Sequence, residues 1–209
     1  MFTTTSFSSW DLNADLQAGL LSIGWEFATQ VQSETIPIAL SGKDVIGQAR
    51  TGSGKTAAFG IPTMNACQPT GKLQALILTP TRELANQVAE ELSTLKGNSE
   101  LIIQTVYGGT DLEQQARSLK KGVDIIVGTP GRVMDMTERG HIDLSKPGFF
   151  VLDEADRMLD MGFFPDIMWV IERMTSRAQT LLFSATFPQE IIDVANEFMN
   201  EPEFVLTNT

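Results

Sequence analysis

Asp44-Val45-Ile46-Gly47-Gln48-Ala49-Arg50-Thr51-Gly52-Ser53-Gly54-Lys55-Thr56 runs from a short apolar segment through a glycine-rich turn into a helical pattern. Glycines let the backbone turn tightly, so that successive N–H groups converge on one point. The helix that follows adds the partial positive charge of its N-terminus. A strand, turn and helix of this kind make a phosphate cradle. Lys55 can reach the outer phosphates, and the Thr56 hydroxyl can ligate Mg²⁺. Ala49 stands where the general pattern asks for glycine. The plainer alternative is a turn carrying Gly-Lys-Thr by chance, but the strand before it and the helix after it favour the cradle.

Working outward, apolar runs recur at 75–78, 101–103, 124–127, 149–152, 180–183 and 204–206. They are apolar without alternation, as strands covered on both faces are. Helical patterns lie between them, for example at 82–96, 111–121 and 189–198. Strand and helix in alternation predict an α/β fold, with a parallel twisted sheet of about seven strands and helices on both faces. In such folds ligands sit at the carboxyl ends of the strands. The polar and glycine-rich turns at 47–56, 79–85, 108–109, 128–132, 153–156 and 184–186 all fall there.

Val151-Leu152-Asp153-Glu154-Ala155-Asp156 places acids just past one of these strands. Asp153 can hold a cation, largely through water, and complete what Thr56 begins. Glu154 can orient and deprotonate an attacking water, an effect worth about 10²–10⁴-fold in rate. The alternative is that these acids only cap the helix that begins near Asp156.

The rest of the composition narrows the chemistry. A chain of 209 residues, 42% hydrophobic and 20% charged, suits one large globular domain. No apolar run reaches the roughly 18 residues of a membrane span, and the first ten residues do not read as a secretory leader. Cys67 and His141 are the only residues of their kinds, too few for a zinc site. The lone cysteine fits a reduced, cytoplasmic compartment. A net charge of −11 argues against a broad basic nucleic-acid surface. Contacts through a few arginines and backbone N–H groups remain compatible with it.

The ordered set of turns resembles the DEAD-box RNA helicase family. Asp153-Glu154-Ala155-Asp156 follows the cradle, and Pro80-Thr81-Arg82-Glu83-Leu84-Ala85 is similar to motif Ia. Gly108-Gly109 matches the glycine doublet, Thr129-Pro130-Gly131-Arg132 motif Ib, and Ser184-Ala185-Thr186 motif III. Residues 24–32 resemble the Q motif, with Ala28 where the family usually has proline and Trp25 where it usually has phenylalanine. Phe7 resembles the separate upstream aromatic, so the Q-motif region spans 7–32 of a single RecA-like domain, 1–209.

The resemblance implies ATP as substrate, Mg²⁺ as cofactor and RNA as partner. The cradle Ala49-Arg50-Thr51-Gly52-Ser53-Gly54-Lys55-Thr56 would take the phosphates. Gln32 would pair with adenine, as a glutamine amide can, and Phe7 would stack on it. A polar, water-facing Gln32 and a core-anchoring Phe7 are the alternatives. Trp10 and Trp25 read as packing residues. Pro80, Thr81, Arg82, Gly108, Gly109, Thr129, Pro130, Gly131 and Arg132 would grip the RNA backbone without reading sequence. Asp156, Ser184 and Thr186 would couple the acids to a second RecA-like lobe, which carries the family's later motifs. Arg157, Arg173 and Arg177 read as solvated charges. A monomeric domain is expected that binds nucleotide, hydrolyses ATP slowly and does not unwind by itself. Two other readings stay open: a P-loop ATPase acting on DNA or a protein partner, and a non-enzymatic ATP-gated RNA clamp or scaffold.

Overall fold

The computed structural model describes residues 1–207. Asn208 and Thr209, the end of the expected 1–209 domain, lie outside the described residues. A small antiparallel pair, β1 (Phe2–Ser6) and β2 (Phe27–Thr29), sits beside the main sheet. That sheet contains β3 (Val45–Gln48), β4 (Ala75–Leu78), β5 (Ile103–Val106), β6 (Ile125–Gly128), β7 (Phe149–Leu152), β8 (Gln179–Ser184) and β9 (Glu203–Leu206). Its order is β5-β6-β4-β7-β8-β3-β9, and every pairing is parallel.

Each strand sends alternate residues to opposite faces, and both faces are apolar. Val45, Ile77, Val151 and Leu181 enter one core with the apolar stripes of α1 (Ala14–Ser22), α2 (Gln30–Leu40), α3 (Lys55–Asn65) and α4 (Arg82–Leu95). Ile46, Leu76, Phe150 and Leu182 enter the other. There they meet α5 (Leu112–Lys120), α6 (Pro130–Glu138), α7 (Ala155–Asp160), α8 (Phe164–Arg173) and α9 (Gln189–Phe198). Burial on both sides explains why these strands do not alternate in sequence. Among the described residues no helix is long and apolar enough to cross a membrane.

Two buried aspartates tie strand starts together. Asp44 accepts from the Thr180 amide (2.8 Å) and the Asn200 amide (2.7 Å), joining the start of β3 to the start of β8 and to the segment leading β9. Asp124 accepts from the Thr70, Gly71 and Ile102 amides. Both aspartates therefore precede the strands in which the apolar runs had placed them. The Asp124 clamp also takes Ile102 out of the ladder. The strand expected at 101–103 instead starts at Ile103 and runs on through Gln104 and Thr105 to Val106. Those polar residues are tolerated because β5 is an edge strand.

Candidate functional site: a cradle, two acids and a polar rim

Gly52 (φ +85°) and Gly54 (φ +91°) turn the chain after β3 so that α3 opens directly on Lys55. A side chain at 54 would need both a left-handed backbone and space already filled. Its Cβ would lie 2.6 Å from Gln32 Nε2 and 2.7 Å from Thr29 Oγ1. The loop borders a cavity of about 630 Å³ whose wall includes Thr51, Gly52, Gly54, Lys55 and Thr56, with Asp153 and Glu154. Ala49, Arg50 and Ser53 are outside that wall. Ser53 is turned inward, its amide and hydroxyl both donating to the Arg50 carbonyl (3.2 and 2.6 Å).

Lys55 is buried and lies 3.0 Å from Asp153 Oδ1 and 3.6 Å from Glu154 Oε1. Burial pushes the Asp153 carboxyl above the usual carboxylate range, and the Lys55 charge opposes that rise. Asp153 Oδ1 is buried without a well-directed hydrogen bond, and Lys55 is its ion-pair partner. Glu154 Oε2 is likewise buried without a hydrogen bond. Glu154 also adopts a left-handed backbone, φ 56°, ψ 52°, which a non-glycine residue holds at a cost of about 1–3 kcal/mol.

The donors facing the cavity suit Mg²⁺. They include oxygens of Thr56 and Asp153, with the Glu154 and Glu91 carboxylates on the same wall, and among the described residues no group of three or more His, Cys, Asp or Glu forms a cage of its own. Mg²⁺ is held in this way, by one or two carboxylates with substrate phosphates and water.

The Q-motif region departs from expectation. Gln32 is buried rather than water-facing: Oε1 accepts from the Thr29 amide (2.9 Å) and Nε2 donates to the Gly54 carbonyl (3.1 Å). With Thr29 it forms a reciprocal cap on α2, so its amide braces the cradle. Phe7 is 2% exposed, packed against Trp10 and Trp25, and outside the cavity wall. Trp25, expected only to pack, borders the cavity with Phe2 and Phe27.

The rim residues stand at the ends of β4, β5 and β6. Arg82 lies over the Tyr107 ring, 5.1 Å from its centroid. Arg132 donates to Gln115 Oε1 and to the Thr110 carbonyl, both at 3.2 Å. Gln115 Nε2 donates in turn to the Tyr107 carbonyl and to Thr110 Oγ1. One glutamine therefore joins Arg132 to the loop of Gly108 and Gly109. That loop is exposed and nothing crowds it. Sequence reasoning passed over Tyr107 and Gln115; their spacing on either side of the glycine pair was the available signal. Thr81 Oγ1 caps α4 through the Leu84 amide, whereas Thr129 makes no side-chain cap and Gly131 is exposed. Pro80 and Pro130 are buried.

Asp156, Ser184 and Thr186 are one network. Asp156 Oδ2 accepts from the Thr186 hydroxyl (2.9 Å) and amide (3.1 Å), while Ser184 Oγ accepts from the Asp156 amide and donates to the Thr186 carbonyl. Burial raises the Asp156 carboxyl, but these hydrogen bonds, with one from the Arg157 amide, outweigh it and hold the pKa below its ordinary value. Two arginines read as solvated are engaged elsewhere: Arg173 stacks on Trp169, and Arg177 donates to Thr180 Oγ1.

A glycine-turned loop at a helix start, with a lysine bridging two acids at the end of β7, defines a P-loop nucleotide-binding domain. The chain belongs to the DEAD/DEAH box helicase family, whose model matches residues 29–194. It is 48% identical over 202 residues to RNA helicase CrhR of Synechocystis, covering 97% of this chain and 41% of that protein. It is 48% identical over 203 residues to DEAD-box ATP-dependent RNA helicase CshA of Bacillus subtilis, with the same coverage of each. The fold matches the crystal structure of a DEAD box protein from Methanococcus jannaschii with a TM-score of 0.93 at 40% identity, over 100% of this chain and 57% of that one. The domain is therefore RecA-like, and it spans about two fifths of the length of those curated relatives.

Proposed function

We propose that this chain is the ATP-binding lobe of an ATP-dependent RNA helicase, and that it works with a second RecA-like lobe. One observation carries the reading: Lys55 is held against Asp153 and Glu154 on the wall of a cavity bordered by the glycine loop. In this reading Lys55 turns from the acids to the outer phosphates, and the N-terminus of α3 adds its dipole. Thr56 and Asp153 hold Mg²⁺, which when bound neutralises phosphate charge. Glu154 accepts a proton from the water that attacks the terminal phosphate, and ADP and phosphate leave.

The RNA backbone lies along Thr81, Arg82, Gly108, Gly109, Thr129, Gly131 and Arg132, with Tyr107 and Gln115 fixing the two arginines. Asp156, Ser184 and Thr186 relay the state of the acids to the second lobe. Arginines from that lobe supply transition-state charge worth about 10³–10⁵ in rate, so the lobe alone turns over slowly and does not unwind. We place the protein, as a monomer, in the cytoplasm, consistent with its single buried, unpaired cysteine. Titration of the chain with nucleotides tests the reading. Mg–ADP binds, ATP competes with it, and AMP, which lacks the phosphates the cradle holds, competes at least about tenfold less well. AMP and ADP binding with equal affinity would remove the cradle from its role.

A further inference from the structure

Another cavity, of about 550 Å³, lies at the opposite end of the sheet from the nucleotide site. One wall is the turn leading into β4, which packs on the turn leading from α5 into β6; the other is the loop that follows α6. Hydrogen bonds hold both walls in place. The Gly71 carbonyl accepts from the Val123 amide (3.1 Å), and buried Asp124 accepts from the Thr70 and Gly71 amides. In the facing loop, Asp143 Oδ1 accepts from the Ser145 amide (3.0 Å) and hydroxyl (2.6 Å), closing the turn before Lys146.

The floor is apolar and the mouth is basic. Leu119, Val123, Ile126 and Ile142 are buried, whereas Lys72, His141 and Lys146 stand exposed around them. Among the described residues neither lysine has a carboxylate within ion-pairing distance. Asp143 is the one acid lining the cavity, and its Oδ1 is engaged by Ser145. On a chain of net charge −11, two unpaired lysines beside an apolar hollow are a local exception. Water solvates the ammonium groups, but it covers the apolar floor unfavourably. A ligand that suits both carries an anionic head on an apolar body. The volume falls in the range of small-molecule sites, which are mostly apolar with a few placed polar groups.

We propose that this cavity binds a small amphipathic anion of the medium-chain carboxylate class. The apolar body fills the hollow over Val123 and Ile142, and the head sits between Lys72 and Lys146. The cavity shares no residue with the nucleotide site, so the proposal stands apart from the nucleotide reading.

The experiment titrates the chain, labelled on its histidine ring, with octanoate. His141 is the only histidine, so its ring signals report on the cavity mouth without assignment. They shift saturably with octanoate. Octanamide, the same body without the charge, and acetate, the head alone, each bind at least about tenfold less well. Lys72→Gln combined with Lys146→Gln weakens octanoate about tenfold. The melting temperature is unchanged, because both side chains are exposed. Mg–ADP does not displace octanoate. Ring signals that stay in place, or equal binding of octanoate and octanamide by the unaltered chain, overturn the proposal. So does full octanoate affinity in the double variant, or displacement by ADP.

Discussion

Glu154 concentrates the costs that function imposes on single residues. Its backbone is left-handed and one of its carboxylate oxygens is buried without a partner. In the two-lobed protein, Glu154→Gln leaves nucleotide affinity intact and lowers RNA-stimulated ATP turnover by about 10²-fold or more; steady-state kinetics beside nucleotide titration checks both halves. Thr186 argues the opposite case, a residue that stabilises. Its hydroxyl contributes to the depressed pKa of Asp156, and a depressed carboxyl stabilises the fold above its unfolded pKa and stops doing so as pH falls through the folded value. Thr186→Ala therefore costs about 0.5–1 kcal/mol at neutral pH, a figure kept small because Asp156 is only half-buried. The cost shrinks below pH 3.8, the ordinary Asp value, in denaturant melts run across the acid limb. At this scale the cradle and the acids were legible, because each follows an apolar run. Glu91 was not, since an acid in a helix reads as solvated until its period is set against Leu84 and Val88.

Elements carry the site because their ends are braced. The start of α2 is capped reciprocally by Thr29 and Gln32, and the same glutamine holds the Gly54 carbonyl. Gln32→Ala should therefore do two things at once. It loses about 1 kcal/mol of stability through the cap, and it weakens Mg–ADP binding because the loop after β3 is no longer tethered. Denaturant unfolding and nucleotide titration separate the two effects; a purely stabilising role would leave affinity unchanged. The strand and helix alternation was readable in the apolar runs, but some elements were hidden. β1 and β2 are short, partly exposed strands without an apolar run. The onset of β5 is set by a carboxylate 22 residues away in sequence, Asp124 to Ile102, which no local pattern reveals.

For the whole molecule, a sheet buried on both faces holds the ends of β3, β4, β6, β7 and β8 on one rim. That the chemistry lay on a single rim followed from the order of the turns. The strand order did not, because neighbours such as β3 and β8 are joined by contacts far apart in sequence. The same limit applies to Phe7, whose burial against Trp10 and Trp25 depends on how the N-terminal segment folds back. The charge of −11 also makes sense at this scale. The proposed RNA rim needs only Arg82 and Arg132, each held by a neighbour, and the rest of the surface is free to be acidic. The most direct measurement is a crystal structure of the chain with Mg–ADP. The β-phosphate is predicted to lie over the loop between Thr51 and Thr56, with Lys55 turned to it from Asp153; nucleotide bound elsewhere, with Lys55 still on the acids, would contradict the account.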